Sequence, residues 1–235
     1  MQNPRTHIFR LLLLLALAAC QPQPAPEAET HRAAWPAFDY AAAAQGGAAV
    51  YRLDLATSRV EIVVRRAGPL ARLGHDHVIV ASPEAWIYWP ENAGDARAEL
   101  RLALDQFEVD PADARQRYGL EDVPDAAAIE GTRRNMLEKV LAAETWPYVT
   151  VDTGRLSGGP DEWELDAEFT VRDHRLRRTI PVNIMRTDDS LAVQGSLVVE
   201  HAELGLEPYT ALAGAIRVAE AIELHFALNA TRVRP

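Results

Sequence analysis

The sequence has very little cysteine: Cys20 is the single one in 235 residues, so no disulfide can form within the chain. It also lacks a long apolar run. The stretch that begins at Leu11 falls short of the roughly 20 residues a bilayer-spanning helix needs. Positive charge is scarce as well, with 24 Lys and Arg against 34 Asp and Glu and a formal net charge of −10. Such an acidic chain argues against nucleic acid or an anionic lipid surface as the main partner. Enzyme signatures are missing too: there is no G-x-S-x-G, no H-E-x-x-H and no phosphate loop. The expectation is a non-catalytic protein with no catalytic residues, no resident cofactor and no metal requirement.

What is present begins at the N terminus. Arg5 and Arg10 precede Leu11 to Leu15, and Leu17-Ala18-Ala19-Cys20 resembles the lipobox of bacterial prolipoproteins. Residues 1–19 are therefore read as a secretion signal and Cys20 as the lipid-bearing first residue of the mature chain. That reading also explains a lone thiol in an exported protein. Loss of Arg5 and Arg10 with the signal takes the net charge from −10 to −12. Gln21 stands where an inner-membrane retention signal typically carries Asp, so the expected address is the periplasmic face of the outer membrane. Residues 20–49, with Pro22, Pro24, Pro26 and Pro36 among many alanines, read as a tether on which Trp35, Phe38 and Tyr40 could dock to the domain. Residues 50–235 fit one domain with a sizeable core.

Within that domain the dominant pattern has a period of two, the mark of strands with one dry face. Val60, Ile62 and Val64 alternate with Arg59 and Glu61; Leu100, Leu102 and Leu104 alternate with Glu99, Arg101 and Asp105. Trp163 to Val171 alternates most regularly, and further runs cover 148–156, 176–185, 191–200 and 222–230. Residues 75–89 are apolar on both parities and predict one strand buried on both faces. A single helix is predicted from an Asp125 N-cap to about Glu144, with Ile129, Met136, Leu137, Val140 and Leu141 on one stripe. Asp105, Glu108 and Asp110 read as an acidic surface loop, and His225 as solvated beside Glu223. Eight or so strands with one inserted amphipathic helix predict an all-β fold, a closed antiparallel up-and-down barrel.

Several segments, in order along residues 50–231, resemble the YceI family of polyisoprenoid-binding, lipocalin-like periplasmic proteins. They are Tyr51 to Ser58, Met136 to Leu141 with Trp146 to Val149, Phe169 to Val171 through Thr179 to Val182, and Glu203 to Leu206. The resemblance implies a lipocalin-like barrel whose lumen holds a long apolar chain. The chain departs from the family pattern at Asp173-His174, His201, Leu204 and Gly74-His75-Asp76-His77.

The expected partner is thus an isoprenoid or fatty lipid, with the membrane reached through the anchor on Cys20. A homodimer stays open. Lumen candidates are Val60, Ile62, Val64, Leu100, Leu102, Leu104, Leu165, Phe169, Ile180, Val182, Leu224, Phe226 and Leu228. The competing expectation is that these side chains fill a solid core and the surface acts as an interaction module. His75 and His77, two apart on a strand, share a face. They read as ligand contacts at the barrel mouth, or as part of a metal or haem site if His174 or His201 comes close.

Overall fold

The computed structural model describes residues 35–160 and 162–234; the signal, Cys20 and the tether up to residue 34 lie outside the described residues. The strands are β1 (Ala49–Leu53), β2 (Arg59–Ala67), β3 (His77–Ala81), β4 (Glu84–Trp89), β5 (Arg97–Ala103), β6 (Glu108–Val109), β7 (Tyr148–Gly159), β8 (Glu162–Val171), β9 (His174–Arg186), β10 (Ser190–Glu200), β11 (Thr210–Ala211) and β12 (Ile216–Arg232). The α-helices are α1 (Tyr40–Gln45), α2 (Ala112–Arg117) and α3 (Ala126–Asn135), the last continuing as a π-helical turn over Met136–Val140.

Eight strands close an antiparallel barrel in the order β1-β4-β5-β7-β8-β9-β10-β12, with β1 returning to pair β12. β12 is long enough to serve two partners on one edge: Ala230 to Arg232 pair β1, whereas Ile222 to Ala227 pair β2. β2, β3 and β6 therefore leave the ring as an extension of the sheet rather than as further staves. Inside the ring, period-two alternation points every second side chain inward.

Residues 75–89 form two strands, not one. Pro83 has no N–H to continue a ladder, and the chain changes partners there: β3 pairs β2 and β6, while β4 pairs β1 and β5. β3 is indeed covered on both faces. Its outer face is roofed by the segment after β6, where Val63 and Val78, both fully buried, pack with Ala114 and Leu120. The same roof reaches His225: its ring lies 5.2 Å from that of Tyr118 and its Nε2 is enclosed, so the residue is half-buried rather than fully solvated.

Asp125 caps α3 as predicted, accepting from Ala128 N at 2.8 Å. The helix stops earlier than Glu144. Leu141 N donates five residues back to Met136 O at 2.9 Å, and Ala142 turns to a φ of 49°. The extra residue in this turn brings Met136, Val140 and Leu141 together onto the end of the barrel. Residues 35–49, read as tether, are folded onto the outside of β1 and β4. Glu99 accepts from Ala37 N at 2.6 Å and Phe38 N at 2.8 Å, Asp39 caps α1, and Tyr40 is buried against Phe38 and Trp86.

Candidate functional site

The barrel is not solid. An apolar cavity of about 250 Å³ runs along its axis, lined by side chains from the ring strands, β2, β3 and the helix end. That volume sits near the lower edge of the roughly 300–1,000 Å³ typical of small-molecule pockets. One end is marked by Trp89, Arg97 and Leu156, with the Trp89 and Trp163 rings edge to face at 6.4 Å. The other is capped by Met136, Val140 and Leu141 from the helix and by His201, Leu204 and Leu206. On β10 the lining reaches from Leu191 to Val199, eight residue steps or about 27 Å at the rise of an antiparallel strand.

Val60, Ile62, Val64, Leu100, Leu102, Leu165, Phe169, Ile180, Leu224, Phe226 and Leu228 all line this cavity. Leu104 and Val182 do not. β5 ends at Ala103 and Leu104 opens a 3-10 turn, so the strand parity no longer applies; the side chain packs into the core with Phe107, Val109 and Leu141. Val182 pairs Gly195, and Phe226 pairs Gly195 from the other side. A Cβ at Gly195 would sit 2.5 Å from Phe226 Cζ, so the ring lies across the bare backbone, and it packs against the cluster that buries Val182. Sequence reasoning omitted β10 from the lumen although Leu191, Val193, Leu197 and Val199 share one parity and line it. It also left out the helix stripe, which the sequence pattern alone could have been taken to bury anywhere.

His75 and His77 do share a side, with ring centroids 6.2 Å apart, but neither lines the cavity. His77 shares the parity of Ile79, which does line it, but stands at the first residue of β3, and His75 precedes the strand. His77 Nδ1 is 2.6 Å from Asp110 Oδ2, and its Nε2 is 3.3 Å from Thr132 Oγ1 on α3. Asp110, expected on the surface, is buried with no exposed side-chain area, and it also accepts from Val78 N at 3.0 Å and from Arg115 Nη1 at 2.7 Å. Burial pushes its carboxyl up, but the hydrogen bonds from His77, Val78 and Arg115 outweigh burial and hold it below the usual carboxylate range. Arg115 in turn donates to the carbonyls of Asp76, Leu120 and Asp122. The cluster thus pins β3, the roof over it and α3 together. No group of three or more His, Cys, Asp or Glu able to hold a metal occurs among the described residues.

The two long strands β9 and β10 are paired over only part of their length. They are hydrogen-bonded only where Arg186 to Val182 face Leu191 to Gly195, and they part beyond Pro181. Across that seam the Arg178 guanidinium pairs with Glu203, whose other oxygen accepts from Glu200 N at 2.8 Å.

No family model matches the chain, and no curated protein matches it. Its fold does match solved structures. Burkholderia cenocepacia BcnA aligns over 75% of this chain and 98% of its own, at 16% identity and a TM-score of 0.55. A polyisoprenoid-binding domain from Saccharophagus degradans, implicated in plant cell wall breakdown, aligns over 78% of this chain and 98% of its own, at 15% identity and a TM-score of 0.54. At these identities the likeness is one of fold, and it agrees with the lipocalin-like barrel that the sequence resemblance implies.

Proposed function

We propose that the chain is a YceI-like carrier that holds the apolar chain of an isoprenoid or acyl lipid in its barrel, tethered through a lipid on Cys20 to the periplasmic face of the outer membrane. One observation carries this reading: the barrel axis is an elongated cavity walled by aliphatic and aromatic side chains, where a packed core would be filled. Each methylene moved from water into such a lumen contributes about 0.8 kcal/mol, so affinity should climb steeply with chain length. The polyisoprenoid-binding domain with the same fold supports an apolar-chain ligand. Metal or haem binding at His75 and His77 finds no support, since His77 is committed to Asp110 and Thr132.

The test is mass spectrometry of organic extracts and of metals from the full chain purified out of its native envelope. An isoprenoid or long acyl lipid near one equivalent per chain is expected. An empty extract from protein with an unfilled lumen sinks the carrier reading. Cys20→Ala, followed by membrane fractionation, tests the tether separately: the variant should leave the membrane fraction.

A further inference from the structure

Four residues that line the lumen carry side-chain nitrogen or oxygen, and they differ in what is left unpaired: Trp89, at the far end, has an indole N–H, which can only donate. Arg97 contributes only its stem, because its guanidinium lies 4.9 Å over the Phe38 ring on the outer side of the sheet. Thr153 Oγ1 accepts from Ala98 N at 2.6 Å. His201 instead offers a free acceptor at the capped end. It is 5% exposed, and its Nδ1 stands 2.9 Å from the Glu220 carbonyl oxygen. A carbonyl can only accept, so Nδ1 carries the proton and Nε2 presents a lone pair. That Nε2 has no hydrogen-bond partner among the described residues.

The ring is held firmly. The turn that carries it, His201 to Leu204, is closed by reciprocal hydrogen bonds between Glu200 and Glu203. It leaves through Gly205, whose φ of 66° and close approach to His174 both exclude a side chain. His201 thus sits at the capped end of the lumen, beside Leu204, Leu206 and Ile222, next to the seam where β9 and β10 part. Nε2 keeps accessible surface, and in a lumen whose walls are otherwise almost wholly apolar the occupant is the donor within its reach. No Lys or Arg is among the residues that line that end, which disfavours a phosphate or carboxylate there.

We propose that His201 Nε2 anchors the ligand's head group, and that the occupant ends in a neutral hydrogen-bond donor, an alcohol or phenol, at the capped end with its apolar tail running toward Trp89. This rests on the reading of the barrel as a carrier of an apolar chain, and it adds what that chain carries and which way it lies.

The experiment compares three probes on the delipidated full chain by calorimetry: geranylgeraniol, its methyl ether and geranylgeranyl phosphate. The alcohol should bind about three- to tenfold more tightly than the ether, the worth of one neutral hydrogen bond. In His201→Phe the ratio should fall to about one while the ether still binds; His201→Gln, which keeps an acceptor, should retain part of the preference. The wild-type ratio and the Gln variant decide the matter even if the Phe variant folds poorly. A wild-type ratio of one, tightest binding of the phosphate, or a ratio that survives His201→Phe overturns the anchor and leaves the carrier reading intact. Failure of all three probes to bind overturns both.

Discussion

Replacing Asp110 by Asn removes one charge from the buried cluster and changes little else. Asn has the same shape, and it tolerates the left-handed φ of 57° that Asp110 adopts. What remains is Arg115, 4% exposed, whose one ion-pair partner among the described residues is Asp110 at 2.7 Å. Breaking a buried pair from one side costs about 3–5 kcal/mol, because the surviving charge is left uncompensated. For a domain of this size that corresponds to a fall in Tm of roughly 6–20 °C. The carboxyl is held below its ordinary value of 3.8, so its stabilising contribution is complete above that pH and is lost as pH falls through the still lower folded value. Urea unfolding followed by tryptophan fluorescence should therefore show a gap between wild type and Asp110→Asn at pH 7 that narrows in strong acid, as pH falls through the lowered folded value. Adding Arg115→Met should recover part of the loss by removing the stranded charge. A penalty under about 1 kcal/mol at pH 7, or a gap unchanged at the acid end, would refute the assignment of a charge-dependent lock.

Other substitutions probe the lumen and the N-terminal brace. Ala167→Phe puts a ring into the cavity from a position that lines it; long-chain lipid should drop at least about tenfold in extracts, at a stability cost of about 1–3 kcal/mol. Gly195→Ala must push the Phe226 ring off β10 and into the lumen, so bound chain length in extracts should shorten, and adding Phe226→Leu should restore it. Glu99→Gln weakens the charge-assisted bonds from Ala37 and Phe38 N–H groups, for a loss of about 1.5–3 kcal/mol in holding the segment. Limited proteolysis should then cleave residues 35–45 faster while the barrel core resists; unchanged cleavage would show that Tyr40 and Phe38 suffice.

The sequence by itself determined which side chains turn inward. Because Cβ atoms alternate along a strand, the parity of Val60, Ile62, Val64, Leu165, Phe169, Leu224 and Phe226 was legible, and so was the Asp125 cap, whose chemistry is local. It could not say what an inward side chain meets, since a lumen and a packed core select the same apolar residues. Tertiary structure alone decided that Leu100 borders open space while Leu104, past the end of its strand, is buried in the core. It also decided that Val182 packs under the ring of Phe226, two strands away, which reaches over the bare backbone of Gly195 on the strand between them. Charged groups were the least legible. Asp110 sits in an acidic stretch that reads as solvated, and only the approach of His77 and Arg115, with the roof that excludes water from all three, turns it into a buried lock. Parity is a property of neighbours in the chain; burial and pairing belong to groups that only the closed barrel brings together.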